Sequence, residues 1–274
     1  GSATGLSFND FFVNLAPVVV VILAVTLIPI YLIWGRSLHA DEKLRARVMD
    51  YRERDAIKDP LLLVQSLGVL ALVIGGFMLG HGSGLQPATI AMFGASLLLV
   101  LHNLRRSPKE QSEQVHRTLG EVEWITLFFF MGLFIVVHGL ESTGVLEWIA
   151  NYMLDLTGGD KTATAMAILF VSAVASAVVD NIPFVATMIP LIKSMATTFG
   201  GQAELLPLWW SLALGSCLGG NGSLVGASAN LIVAGFAERS GQPIRFLPFM
   251  LAAFPLMMLS ILISSVYLYW RYFS

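Results

Sequence analysis

Charge is scarce in this chain of 274 residues. Only 12% of its residues are Asp, Glu, Lys or Arg, 56% are hydrophobic, and the mean hydropathy is +0.75; a soluble domain carries roughly 25% charged residues. That balance excludes an ordinary soluble domain and indicates a polytopic membrane protein. Cysteine is almost absent. Cys217 alone can form neither an internal disulfide framework nor a multi-thiolate metal site. No Lys or Arg precedes Arg36, which lies beyond the first apolar run, so the first run is not expected to be a cleaved secretory signal.

What is present is a series of long apolar runs. A spanning helix needs about 20 mostly apolar residues, and the candidates are Phe12–Trp34, Leu61–Gly80, Ala88–Asn103, Trp124–Leu140, Leu206–Ala237 and Phe246–Tyr269. Of the 16 Lys and Arg, seven fall in Arg36–Lys58 and four in Arg105–Arg117. The positive-inside rule therefore makes the loops 36–60 and 104–122 cytoplasmic. The mixed-charge stretch 36–60 reads as a solvated cytoplasmic linker helix. In Glu141–Asp160, the spacing of Leu146, Ile149, Ala150 and Met153 predicts a helix lying at the outer interface. Trp34, Trp124, Trp148, Trp209, Trp210 and Trp270 stand at segment ends and are expected to anchor there. His138 is expected to make a helix-packing hydrogen bond.

Two interruptions break the apolar pattern. Between Lys161 and Lys193 the one ionisable residue is Asp180, inside VVDNIPFVATMIP. The region Thr162–Thr198 is too long for one span and reads as a hairpin with Asp180-Asn181-Ile182-Pro183 at its tip. Arms of about 16 residues reach roughly 24 Å, short of the ~30 Å hydrocarbon thickness. The tip is then expected to stop within the membrane, where irregular backbone must be buried or line a cavity. Asp180 and Asn181 suit the cap of a helix with Pro183 in its first turn. Ser172 and Ser176, at four-residue steps before Asp180, form a polar stripe on the same helix face.

The second interruption is GSCLGGNGSLVGASAN, Gly215 to Asn230. Gly219-Gly220-Asn221-Gly222 predicts an unwound break, since continuous helix would cost roughly 1 kcal/mol per glycine. Gly215/Gly219 and Gly222/Gly226 also follow the spacing of close helix packing. Asn221, Ser223, Ser228 and Asn230 add amides and hydroxyls that packing does not need. Paired interruptions of this kind present free N–H groups to anions and unwound carbonyls to cations, so a substrate and a coupling ion are expected between the two elements.

At these residues the sequence resembles the ion transporter superfamily, in the branch of arsenite permeases, NhaD-type sodium/proton antiporters, the melanosomal P protein and citrate transporter-like domains. The similarity lies in EVEWITLFFF, ASAVVDNIPFVATMIP and LGGNGSLVGASANLIVAGFAERSG. It implies an all-α polytopic membrane protein of inverted repeats, each with a re-entrant helical hairpin and a broken transmembrane helix. This chain would be the second half: residues 1–35 a helix ending a missing first half, 61–274 the second repeat with hairpin 162–198, broken helix 206–237 and last helix 246–270. It would be a fragment, needing an N-terminal half or a second copy to complete its site.

The resemblance implies an ion or substrate site of Asp180, Asn181, Pro183, Gly219, Gly220, Asn221, Ser223, Ser228 and Asn230, with Gly226 in the same loop. Na⁺ or H⁺ is the expected coupling ion, with Asp180 and Asn181 as the Na⁺ ligands, and no other cofactor is expected. Dicarboxylate transporters of the superfamily carry Ser-Asn-Thr at the tip, so Asp180 argues against that class. The expected function is ion-coupled secondary transport, of the inorganic-anion or arsenite efflux type or of the Na⁺/H⁺ antiport type. The alternative is a non-transporting subunit or half-transporter. The expected partners are a lipid bilayer and a small ion or anion, without nucleic acid, in a prokaryotic inner membrane. An enzyme is not expected: an aspartyl protease needs two carboxylates sharing a proton, Asp180 has no intramembrane acidic neighbour in the sequence, and no His-Glu-x-x-His motif occurs.

Overall fold

A computed structural model describes residues 4–35, 46, 49, 57, 59–80, 85–104, 106–122 and 124–274. The expected linker helix 36–60 lies almost wholly outside the described residues, as does most of the turn before Pro87. Most of the described residues are helical and none forms a strand, and three of the described helices are long and apolar enough to cross a membrane: Phe8–Gly35, Pro60–Leu79 and Phe246–Tyr272. The chain divides into two compact units, residues 1–16 with 30–124 and residues 17–29 with 125–274.

The first unit contains α2 (Pro60–Leu79), α3 (Pro87–Asn103) and α4 (Pro108–Gly120). Each begins with proline, whose missing N–H is spare in a first turn. Asp59 caps α2 by accepting from the Leu62 N–H at 3.0 Å. Ser107 and Glu110 form a reciprocal capping box on α4. Those bonds hold the exposed Glu110 carboxyl below its usual pKa. α2 and α3 pack closely because Gly94 meets Val73 and Gly76 meets Ile90, with no room for a Cβ at either glycine.

The second unit takes in residues 17–29 of α1 (Phe8–Ile30) and everything from Ile125 onward. α5 (Trp124–Ser142) and α6 (Val145–Leu156) meet at Gly144, whose φ of 76° turns the chain; the two helices are bent by 67°. α6 buries Leu146, Ala150 and Leu154 at four-residue steps and packs on α8. Among the described residues His138 makes no hydrogen bond to another helix. Its side chain is 80% exposed, with Nδ1 3.8 Å from Glu141.

Two helices flank Val179-Asp180 where the sequence places the hairpin tip. α7 (Lys161–Val178) is capped by Asp160 through the Ala163 N–H, α8 (Asn181–Ser194) returns from the tip, and a single turn, α9 (Ala196–Phe199), ends the return. With 18 and 14 residues, the arms span roughly 27 and 21 Å at 1.5 Å per residue, so neither reaches across a bilayer core of ~30 Å. At the hairpin's base Lys161 Nζ meets Glu204 Oε2 at 2.6 Å.

α10 (Leu206–Gly219) runs between α7, α8 and α12 (Phe246–Tyr272). It is apolar on all sides, the pattern of an enclosed helix. That enclosure corrects the reading of two tryptophans as interfacial anchors: Trp209 and Trp210 are 8% and 1% exposed. α11 (Ser228–Arg239) follows the break after α10.

Candidate functional site

Helix α10 does not stop where its glycines begin. It continues through Gly219, passes into one 3₁₀ turn over Gly220–Gly222, and becomes irregular from Ser223 until α11 starts at Ser228. Both readings of the glycines hold, at different positions. Gly215 and Gly219 are packing residues: a Cβ at Gly215 would lie 2.5 Å from the Leu169 carbonyl oxygen, and one at Gly219 the same distance from that of Ala173. Gly220 and Gly226 shape the break, since each would drive a Cβ to within 2.8 Å or less of the other's carbonyl oxygen. The loop therefore closes on itself.

The serine stripe of α7 turns toward this loop and is not open. Ser172 and Ser176 are fully buried against α10. Ser176 donates to the Ser216 carbonyl at 2.7 Å, while the Ser172 hydroxyl has no partner among the described residues. The expected polar path to the carboxylate is a packing face, because close approach of Gly215 and Gly219 covers it.

At the tip Asp180 uses both carboxylate oxygens. Oδ1 accepts from the Ile182 N–H at 3.1 Å, capping α8, and Oδ2 accepts from the Ser228 hydroxyl at 2.9 Å. The hairpin tip is thus bonded to the first residue of α11. Asn181 heads α8 half-exposed, its side chain unbonded among the described residues, and Pro183 sits two positions further on. Asn221 projects from the 3₁₀ turn, exposed.

Ser223 and Asn230 face inward. The Ser223 hydroxyl donates to the Ala177 carbonyl and accepts from the Gly226 N–H, tying the loop to the end of α7. Asn230 Nδ2 donates to the Gly220 carbonyl at 3.0 Å and to the Ser223 carbonyl at 2.9 Å. The nine expected residues thus lie on two joined elements in two groups. Asp180, Asn181, Asn221 and Ser228 offer polar groups outward, while Pro183, in the first turn of α8, and Gly219, Gly220, Ser223 and Asn230 build the support. Sequence reasoning missed Ala177, Ser216 and Met257, which act through backbone oxygens or bulk. A Cβ at Gly222 would meet the Met257 methyl at 2.9 Å, so α12 backs the turn.

The chemistry available is that of hard oxygen ligands and hydrogen-bond donors. Among the described residues no group of three His, Cys, Asp or Glu could hold a transition metal. The apolar cavity between α1 and α12, about 460 Å³ and lined by Val18, Val21, Leu262 and Val266 among others, has no side chain of the tip or break in its wall.

Comparison with known proteins gives the family. The sequence profile of the CitMHS citrate transporter family matches residues 1–215. The chain belongs to the citrate transporter family. It is 41% identical over 272 residues to an uncharacterized transporter of Mycobacterium bovis, covering 99% of this chain and 61% of that protein. An uncharacterized transporter of Synechocystis is 32% identical over 295 residues, covering all of this chain and 63% of the relative. The P protein of Mus musculus is 36% identical over 236 residues, 83% of this chain and 27% of its own length. The chain therefore spans about three fifths of the length of the bacterial relatives. No solved structure matches it. Family and apolar helices together make this an integral membrane protein of the ion transporter superfamily.

Proposed function

We propose that this chain carries the ion-coupling half-site of a secondary transporter, in which Asp180 exchanges a proton or Na⁺. The observation that carries the reading is the 2.9 Å bond between Asp180 Oδ2 and the Ser228 hydroxyl. It joins the one ionisable group between Lys161 and Lys193 to the N-terminal turn of α11. Whatever changes the charge of that carboxylate, a proton or a cation, weakens or redirects this bond and is felt in both elements. An ionisable group on a membrane-embedded tip is costly, and such groups mark ion pathways and proton relays.

In this reading Na⁺ or H⁺ binds at Asp180, with Asn181 next to it in the chain and Ser228 bonded to it, and a small ion or anion approaches the start of α11. Free N–H groups and the positive dipole end favour negative charge there. The transport class is anion or arsenite efflux, or Na⁺/H⁺ antiport, and the protein acts without catalysis. The exposed side of the tip, Asn181, Asn221 and Ser228, would face a complementary surface from a preceding half or a second copy. The membrane would be a prokaryotic inner membrane with loops 36–60 and 104–122 in the cytoplasm, supported by the clustering of Lys and Arg in them.

Proteoliposomes with a trapped pH dye test the reading. An inward Na⁺ gradient is expected to drive a change of internal pH with the unsubstituted protein and none with Asp180→Asn. Equal responses from the two proteins would refute it.

A further inference from the structure

We infer that Asn230 is a positioning residue that shapes the break for the ion, and touches neither ion nor substrate through its amide N–H groups; the inference rests on reading the break as part of the ion site. An asparagine amide has two donor hydrogens. Here they go to the chain itself, one to the Gly220 carbonyl at 3.0 Å and one to the Ser223 carbonyl at 2.9 Å. Those oxygens belong to the first residue of the 3₁₀ turn and to the residue that follows it. A single side chain, anchored in the first turn of α11, thereby fixes the turn's span.

The surroundings show why that is needed. Gly220 and Gly226 approach until neither has room for a Cβ, so the loop is held in a tight closed form, with Leu224 the one large apolar side chain it buries. Ser223 anchors it on one side through Ala177 and Asn230 on the other. Two residues before Asn230, on the same turn, Ser228 holds Asp180. The first turn of α11 thus ties the carboxylate to the loop through neighbouring side chains, and a displacement at either is passed to the other. Outer partners of this kind orient ligands without touching the bound ion, and their loss weakens ion binding about 10- to 100-fold.

The test compares the purified chain with Asn230→Ala, which removes both donors, and with Asn230→Ser, which restores one on a shorter arm and serves if the alanine variant does not fold. Two readouts are taken: hydrogen exchange of the peptide covering 220–227, and Na⁺ affinity by equilibrium binding of ²²Na⁺ in proteoliposomes. The alanine variant is expected to exchange faster in 220–227, with α7 unchanged, and to bind Na⁺ about tenfold more weakly at full stoichiometry, with the serine variant in between. Faster exchange with unaltered Na⁺ affinity would leave the ion site intact and overturn the positioning role. Unaltered exchange would overturn it as well. Absence of Na⁺ binding by the unsubstituted chain would defeat the ion reading itself, and the inference with it.

Discussion

Asp180 and Ser228, 48 positions apart, meet at 2.9 Å, and the carboxylate's other oxygen caps α8 through the Ile182 N–H. One side chain therefore ends the hairpin and fastens it to the broken helix. Ser228→Ala should loosen that fastening while leaving the cap. Removal of a hydrogen bond to a charged group costs about 1.5–3 kcal/mol in a typical case, less at this partly exposed site. The expected result is weaker Na⁺ binding with a preserved α8, checked by ²²Na⁺ titration beside circular dichroism.

The contact of Gly219 with α7 makes a different prediction. A methyl group there would meet the Ala173 backbone at 2.5–2.9 Å, and a helix backbone cannot step aside as a side chain does. Gly219→Ala should destabilise the protein by about 1–3 kcal/mol, the usual cost of overpacking. Gly235, in α11 with open space around it, supplies the control. Gly235→Ala should be neutral or raise stability by up to about 1 kcal/mol through helix propensity. Unfolding temperatures in detergent, followed by size-exclusion chromatography, distinguish the two.

Ser172 and Ser176 look alike in the sequence and should behave oppositely. The Ser176 hydroxyl is bonded to the Ser216 carbonyl, and that of Ser172 to nothing among the described residues. Ser176→Ala should lower stability by about 0.5–1.5 kcal/mol. Ser172→Ala removes a buried unpaired hydroxyl and should leave stability unchanged or raise it. If Ser172→Ala abolished ion binding while the fold survived, the stripe would be a path after all.

Glu204 gives a pH dependence. Its hydrogen bond to Lys161, and then the lysine's charge, hold the carboxyl below the usual glutamate pKa. The folded state then binds a proton less readily than the unfolded state. The pair's contribution is fully present above the ordinary value of ~4.3 and is lost as pH falls through the lower folded value. The carboxylate is exposed, so the effect is small. Melting temperatures of the unsubstituted protein and Glu204→Gln should differ at pH 6 and converge near pH 3.

Much of this arrangement is legible in the sequence because breakers and charges are conspicuous against apolar surroundings. Asp180, Asn181 and Pro183 mark the tip, and Gly220-Asn221-Gly222 marks the turn. The bend at Gly144 follows a change of pattern between a span and an amphipathic helix. What periodicity does not carry is which side of a residue is covered. Trp209 and Trp210 resemble interfacial anchors until α7, α8 and α12 are seen around them. Ser172 and Ser176 resemble a polar path until Gly215 and Gly219 close over them. Asn230 resembles a ligand contact, and only the folded loop shows both amide hydrogens turned to Gly220 and Ser223. The support from Ala177 and Ser216 comes from backbone carbonyls, which every residue possesses and no sequence pattern distinguishes.

The central proposal is that Asp180 holds the coupling ion, with a proton and Na⁺ competing for its carboxylate, and the direct measurement is proton release during Na⁺ binding. The purified chain in lightly buffered liposomes is titrated with NaCl at fixed pH, beside Asp180→Asn, while bound Na⁺ and released protons are recorded together. Saturable Na⁺ binding with about one proton released per site, both lost in the variant, is the predicted result. Na⁺ binding that persists in Asp180→Asn, or binding by the unsubstituted chain without proton release, would contradict it.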